Sequence, residues 1–186
     1  MTCRFSGKRT GWMLAGTAAL LFCLLLPLSA QAQRAESRAG KFSLGLDIGL
    51  LGATADGTAF ALGLSGDYFV THNFSLGPLI QFGFTDDLFK VGPTLQAKYT
   101  LDLPGTPNVK FNFQGGIGFI HADLDRGPFP DRDDTSFLIP IGVGIEFDVA
   151  RNISIGSSLL FNFTDLDDVR DENFFVSWLT GIRIRF

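Results

Sequence analysis

The sequence predicts an all-β protein, an eight-stranded antiparallel up-and-down barrel that spans a membrane. Eight segments alternate apolar residues with small or polar ones at a period of two, as strands with two different faces do. One face of each segment is crowded with Phe, Leu and Ile, whereas the other is rich in Gly, Ser and Ala. Because the interior of an eight-stranded barrel is only wide enough for side chains to fill it, the bulky face must point outward.

An outward belt of large apolar side chains is stable in lipid and not in water. Strand surfaces in water normally carry Thr, Lys and Glu, and glycine weakens a strand unless side chains converge on it. In lipid the sheet has to close, because unpaired backbone groups at its edges are too costly there. A secreted lipocalin-like barrel or β-sandwich is the alternative fold. It requires charged residues that alternate along the strands, which this chain lacks.

The first 32 residues have the pattern of a cleaved secretory signal. A basic start precedes an apolar run at 12–28, and the run ends at Ala-Gln-Ala (30–32), a small-residue cleavage pattern. An uncleaved membrane anchor is the alternative. Both cysteines, Cys3 and Cys23, lie inside the signal, so no disulfide is expected in the mature chain. Loss of the basic signal leaves an acidic chain, which argues against nucleic acid as a partner.

After a polar lead-in at 33–40, predicted to be flexible, the barrel occupies 41–186. Its predicted strands are bounded by turn residues and cover 42–50, 59–70, 74–84, 89–101, 109–119, 137–147, 153–163 and 177–186. In each strand the residues of one face are mostly apolar. Examples from the first, sixth and last strands are Phe42, Leu44, Leu46, Ile48 and Leu50; Phe137, Ile139, Ile141, Val143, Ile145 and Phe147; and Trp178, Ile182, Ile184 and Phe186.

The connections between strands alternate in character. Those after the second, fourth and sixth strands are compact: VTHN, DLPGTPN and VARN. Two of these belong to a repeat, V-x-x-N-Φ-S-Φ-G, at 70–77 and 149–156, where Φ is an apolar residue. We interpret the repeat as one hairpin turn used twice, with its asparagine at a positive φ.

The remaining connections, 51–58, 85–88, 121–135 and 164–173, carry thirteen acidic residues against three arginines. DRDD (131–134) and DLDDVRDE (165–172) offer the oxygen ligands that Ca²⁺ and Mg²⁺ accept. Their spacing matches no EF-hand loop, which needs glycine and glutamate at fixed positions. We therefore predict a solvated acidic rim, with no metal site and no cofactor.

Charged residues on the small face should meet inside the barrel. Isolated charges in a narrow lumen are costly unless they are paired, so Arg183 and Arg185 are expected to form ion pairs there. Glu146, Asp47 and Asp67 are the favoured acids. The full set of candidates is Asp47, Asp67, Lys98, Lys110, Glu146, Arg183 and Arg185. The set predicts either a structural plug or a charged gate in a small pore, and the narrow bore favours the plug.

The strands, the signal and the final aromatic residue resemble the small bacterial outer-membrane barrels of the OmpA/OmpX type. The resemblance covers 41–186, and its specific parts are GDYFVTHNFSLG (66–77) and GIRIRF (181–186). It implies both termini in the periplasm, short turns on that side and outer-membrane lipid around the barrel. It also implies that the C-terminal strand, ending in Phe186, is recognised by the barrel-assembly machinery. A monomer is expected.

The residues that could carry catalysis are few. His72 lies in a compact turn, and His121 ends a strand on the lipid-facing register, with no Ser-His pair in view. Some barrels of this kind modify lipid A, which requires a nucleophile and an activating base. We therefore predict a non-enzymatic outer-membrane barrel with a structural and surface-display role, acidic extracellular loops and a lumen plugged by side chains. A narrow pore for ions or small solutes is the alternative, followed by a lipid A-modifying enzyme.

Overall fold

The computed structural model describes residues 37–54, 57–85, 88–124, 132–166 and 172–186. Eight antiparallel strands close into one barrel, in which each strand pairs with its chain neighbours and the first pairs with the last. They are β1 (Phe42–Thr54), β2 (Gly57–Phe69), β3 (Phe74–Phe84), β4 (Leu88–Asp102), β5 (Val109–Leu124), β6 (Arg132–Ala150), β7 (Ile153–Leu166) and β8 (Glu172–Arg185). The predicted fold class is confirmed. The predicted signal and the start of the lead-in lie outside the described residues.

The two faces of the sheet are arranged as the volume argument requires. Large apolar side chains point outward, and Leu44, Ile117 and Phe119 are each more than half exposed. Their neighbours along each strand point into the barrel and are largely buried. No α-helix among the described residues is long and apolar enough to cross a bilayer.

The barrel has two unlike ends. The terminal end holds the first residues of β1, the last residues of β8 and the connections 70–73, 103–108 and 151–152. The loop end holds the last residues of β1, β3, β5 and β7 and the first residues of β2, β4, β6 and β8. These two names are used below.

The strands run further toward the loop end than predicted, so the expected connections were too long. Most of the expected connection 121–135 belongs to β5 and β6, where His121 pairs with Thr135 and Ala122 with Asp134. The inward face stays packed this far, since Ala122 on β5 and Leu166 on β7 are fully buried. Buried inward side chains allow the antiparallel ladder to continue past the point where the sequence becomes acidic.

The prediction for the repeated turns was wrong in its conformation. Neither Asn73 nor Asn152 has a positive φ. The backbone oxygen of Asn73 instead accepts a hydrogen bond from the Thr100 amide at 2.7 Å, and that of Asn152 accepts one from the Arg185 amide at 2.7 Å. The motif therefore ties each turn to the strand that lies beside it, β4 in one copy and β8 in the other.

Candidate functional site

The lumen is divided into three layers along the barrel axis. An ionic layer lies toward the terminal end, an apolar layer fills the lumen between it and the loop end, and a polar layer of neutral side chains is enclosed within the apolar one. Each layer is built from the inward-pointing residues of several strands, and the position of a residue along its strand sets its depth in the lumen.

Arg183 on β8 is the centre of the ionic layer. Its Nη2 lies 3.5 Å from Asp47 Oδ1, and its Nε lies 3.7 Å from Glu146 Oε1. All three side chains are buried. Gly156 on the neighbouring strand leaves room for the guanidinium, because a Cβ at that position would lie 2.1 Å from Arg183 Nη1. The structure thus brings Arg183 together with two of the three acids named from the sequence.

The other candidate residues pair differently from the expectation. Asp67 accepts from Lys98 Nζ at 2.7 Å instead of binding an arginine. Lys110 donates to Asp148, and Arg185 Nη2 lies 3.7 Å from the other oxygen of the same carboxylate. Asp148 was missed because the predicted strand stopped at 147. Its spacing of two from Glu146, which places it on the same inward register, was the available signal.

The lead-in closes the terminal end of the lumen. Gly40 donates to Phe69 O at 2.8 Å and Phe69 donates to Lys41 O at 3.0 Å, which fixes 37–41 against β2. Arg38 is 3% exposed and binds both carboxylate oxygens of Asp102, at 2.9 and 2.8 Å. These contacts involve the part of the lead-in, 37–40, that the structure describes. In the sequence, nothing distinguished Arg38 from Arg34, the other arginine of this polar segment.

His72 completes this contact. Its Nε2 lies 2.8 Å from Asp102 Oδ2, and its Nδ1 accepts from the Arg38 amide at 3.4 Å. Burial lowers the pKa of the Arg38 guanidinium, and the Asp102 carboxylate opposes that shift. Arg38 and Arg185 each lie 5.8 Å from the centre of the Phe69 ring. We call Arg38, Asp102 and His72 the terminal clasp.

The polar layer contains a closed ring of hydrogen bonds that crosses the lumen. Gln81 Nε2 donates to Asn162 Oδ1 at 3.1 Å, Asn162 Nδ2 donates to Ser177 Oγ at 2.7 Å, and Ser177 Oγ donates to Gln81 Oε1 at 2.7 Å. These residues come from β3, β7 and β8 and are almost fully buried. Each of the three side chains donates to one member of the ring and accepts from the other, and such mutual satisfaction is the condition for a buried polar network to be stable.

The apolar layer is the feature that the sequence interpretation missed. Its residues are each no more than 6% exposed and form one cluster: Leu51, Ala59, Ala61, Leu79, Leu88, Ile120, Ala122, Leu138, Leu160, Leu166, Phe175 and Leu179. Lys90 is buried in this region with its Nζ 5.1 Å from the centre of the Phe175 ring. The signal was the interrupted alternation in FLIPI and SLLFN, where both faces become apolar.

The remaining residues singled out from the sequence are His121, the acidic motifs and Phe186. His121 Nδ1 lies 2.8 Å from Thr135 Oγ1, a partner that only the strand register reveals. Among the described residues no three His, Cys, Asp or Glu side chains are grouped as a metal site would require. Residue 131 of DRDD and residues 167–171 of DLDDVRDE lie outside those residues. Phe186 is 69% exposed, and its amide donates to Phe42 O at 2.8 Å.

Solved outer-membrane barrels have similar structures. Neisserial surface protein A matches with a TM-score of 0.67 and 15% identity, over 80% of this chain and 98% of that one. Ail, the attachment invasion locus protein of Yersinia pestis, matches with a TM-score of 0.54 and 16% identity, over 80% of this chain and 99% of that one. OprG of Pseudomonas aeruginosa matches with a TM-score of 0.50 and 12% identity, over 81% of this chain and 99% of that one. Such low identities show a common fold alone.

The comparison of sequences shows the family. No curated protein sequence matches this chain. A family model described as the outer membrane protein beta-barrel domain matches residues 18–178, which is most of the chain. This chain therefore belongs to the outer membrane protein β-barrel domain family, and its barrel is one that spans an outer membrane.

Proposed function

We propose that this protein is a non-enzymatic integral outer-membrane barrel that supports the membrane and displays its loops to the outside, with a lumen closed by its own side chains. The observation that carries the proposal is the apolar layer, which contains residues from all eight strands and fills the lumen on both sides of the polar layer. A hydrated ion would have to shed its water to pass these side chains, and an unpaired charge in such surroundings is very costly.

The ionic layer supports closure from the other side. Its charged groups face each other, and Arg183, Lys98 and Lys110 are buried with acidic partners. Where the ionic layer meets the apolar side chains above it, the lumen contains a cavity of about 10 Å³. The volume suits about one water molecule and no solute.

The orientation that we propose places the terminal end in the periplasm. Barrels of outer membranes have short turns on the periplasmic side and longer loops outside. The connections 70–73 and 151–152 are short, and the longest connection between strands at the loop end is 125–131. Secretion by a cleaved signal, assembly through the C-terminal strand and a monomeric state in lipid complete the proposal. The exposed Phe186 side chain suits recognition by the assembly machinery.

Both histidines have structural partners, which supports a non-enzymatic role. His72 belongs to the terminal clasp, at the opposite end from the loops. His121 contacts the Thr135 hydroxyl, but among the described residues its ring donates no hydrogen bond to a carboxylate that would orient it. A hydroxyl nucleophile needs a base that a third group orients. Because we propose no enzymatic role, we expect lipid A to have the same mass in cells with the protein and in cells without it.

Conductance in planar bilayers tests the closed lumen. We expect the wild-type protein to give no steady open-pore current, and Arg183→Ala to behave alike because the apolar layer remains. The triple variant Arg183→Ala, Leu138→Ala, Leu160→Ala should conduct, because both the ionic layer and the apolar layer are then weakened. Ile139→Ala, on the outward face of the same strand as Leu138, is the control and should leave the current unchanged. A large ohmic wild-type conductance would contradict closure and favour the narrow pore.

A further inference from the structure

A small cavity inside the barrel has the features of a binding site. It measures about 10 Å³ and is lined on the ionic side by Asp47, Asp67, Lys98 and Arg183, with Ser65 and Ser158 beside them. We propose that it binds one water molecule, held by Arg183, Asp47, Ser158 and Ser65. The proposal does not depend on the role suggested for the loops.

Several of the residues that line the cavity carry polar atoms without a hydrogen-bond partner. Asp47 Oδ1, Ser65 Oγ, Ser158 Oγ and Arg183 Nη1 are each buried without a hydrogen-bond partner. Asp47, Ser158 and Arg183 are respectively 1%, 4% and 6% exposed. A buried polar atom left unbonded costs about 1–3 kcal/mol, and more when the group is charged. Four such atoms around one cavity therefore indicate a ligand that satisfies them together.

The ion-pair distances point to the same ligand. The contacts of Arg183 with Asp47 and Glu146, at 3.5 and 3.7 Å, are long for an ionic hydrogen bond. Direct bonds of this kind measure about 2.7–2.9 Å, and a polar contact beyond about 3.5 Å is commonly bridged by water. Lys98 and Asp67, at 2.7 Å, show that the same lumen permits direct contact elsewhere.

Charge and size select water over an ion. Apart from His72, the ionic layer and the terminal clasp together contain five acids and five lysines or arginines: Asp47, Asp67, Asp102, Glu146 and Asp148; Arg38, Lys98, Lys110, Arg183 and Arg185. This balance leaves no net charge for a bound ion to neutralise. The unpartnered atoms include both donors and acceptors, which one water can bond at once, and a cavity of this size holds about one water.

Two measurements on the full protein test the site. Crystallography at a resolution that shows ordered water should place a density peak within about 3 Å of Arg183 Nη1, Asp47 Oδ1 and Ser158 Oγ. In detergent micelles, water ¹⁷O relaxation dispersion should lose one long-lived water when Ser158→Val fills the cavity. Ser75→Val is the matched control and should keep that water, since Ser75 is also a buried inward serine with an unbonded hydroxyl but does not line the cavity.

Several results would overturn the assignment. Well-ordered density with no peak in the cavity would show that nothing binds there. An anomalous peak in the cavity after a bromide soak would show an anion site in place of a water site. An unchanged count of long-lived waters in a folded Ser158→Val variant would place the water elsewhere. If Ser158→Val does not fold, the wild-type density decides alone.

Discussion

Replacing Arg183 with leucine is expected to lower the free energy of unfolding by about 3–5 kcal/mol, because two carboxylates are then buried without their partner. Asp47 and Glu146 face Arg183 from β1 and β6, and both are nearly inaccessible to solvent. Leucine fills much of the volume, so the loss reports on charge and not on an empty space. Unfolding by urea in detergent micelles, followed by circular dichroism, measures the change.

Removing the orphaned acids should restore most of that stability. The triple variant Arg183→Leu, Asp47→Asn, Glu146→Gln carries no unpaired charge at this position, and we expect it to unfold close to the wild-type midpoint. Arg151→Ala, in an exposed turn at the same end of the barrel, is the control and should change little. An Arg183→Leu variant as stable as the wild type would show that the ion pairs contribute nothing.

Replacing Gly181 with alanine should destabilise the seam between β1 and β8 by about 3 kcal/mol, the upper end for overpacked interiors. A Cβ at Gly181 would lie 2.0 Å from Leu46 O and 2.6 Å from Asp47 Cα. Both are backbone atoms of the neighbouring strand, so the strands themselves must move apart. Because β1 and β8 close the barrel, we expect less heat-modifiable protein on gels after refolding, beside a lower urea midpoint.

Gly66→Ala and Gly115→Ala are the matched controls for this substitution. Both replace a glycine within a strand by the same residue. At Gly66 the nearest atoms to a new Cβ are side-chain carbons at 3.7 Å, and at Gly115 the nearest is Pro140 O at 3.8 Å. Neither contact is close, so both variants should fold like the wild type. If all three variants lost the same stability, the strand propensity of alanine, and not the close approach of β1, would explain the effect.

Much of the fold was predictable because membrane barrels obey two simple constraints. A period of two divides the residues between faces, and the bore of an eight-stranded barrel limits the size of those inside. These two facts assigned the residues from Phe42 to Leu50 and from Phe137 to Phe147 to the correct faces of the sheet. The ends of the strands escaped prediction, since Ala122 and Leu166 continue the inward packing beneath acidic neighbours.

The contacts inside the lumen were less predictable, because depth along the axis depends on the stagger between strands. Asp67 and Lys98 meet through the registers of β2, β3 and β4, which no local pattern specifies. The apolar layer was visible only as lost alternation, which also occurs in strands buried on both faces. The docking of Arg38 on Asp102 joins residues far apart in the sequence and has no periodic signal at all.

Tryptophan fluorescence tests most directly the claim that the bulky face meets lipid. In a Trp12→Phe variant, Trp178 on β8 is the single tryptophan. Its ring is 44% exposed on the outward face, and its indole N–H is bonded to Ser157 Oγ at 2.9 Å, so it needs no water. In vesicles we predict strong quenching by lipids brominated on their acyl chains and weak quenching by aqueous iodide. Quenching by iodide with none by the brominated chains would contradict the outward orientation.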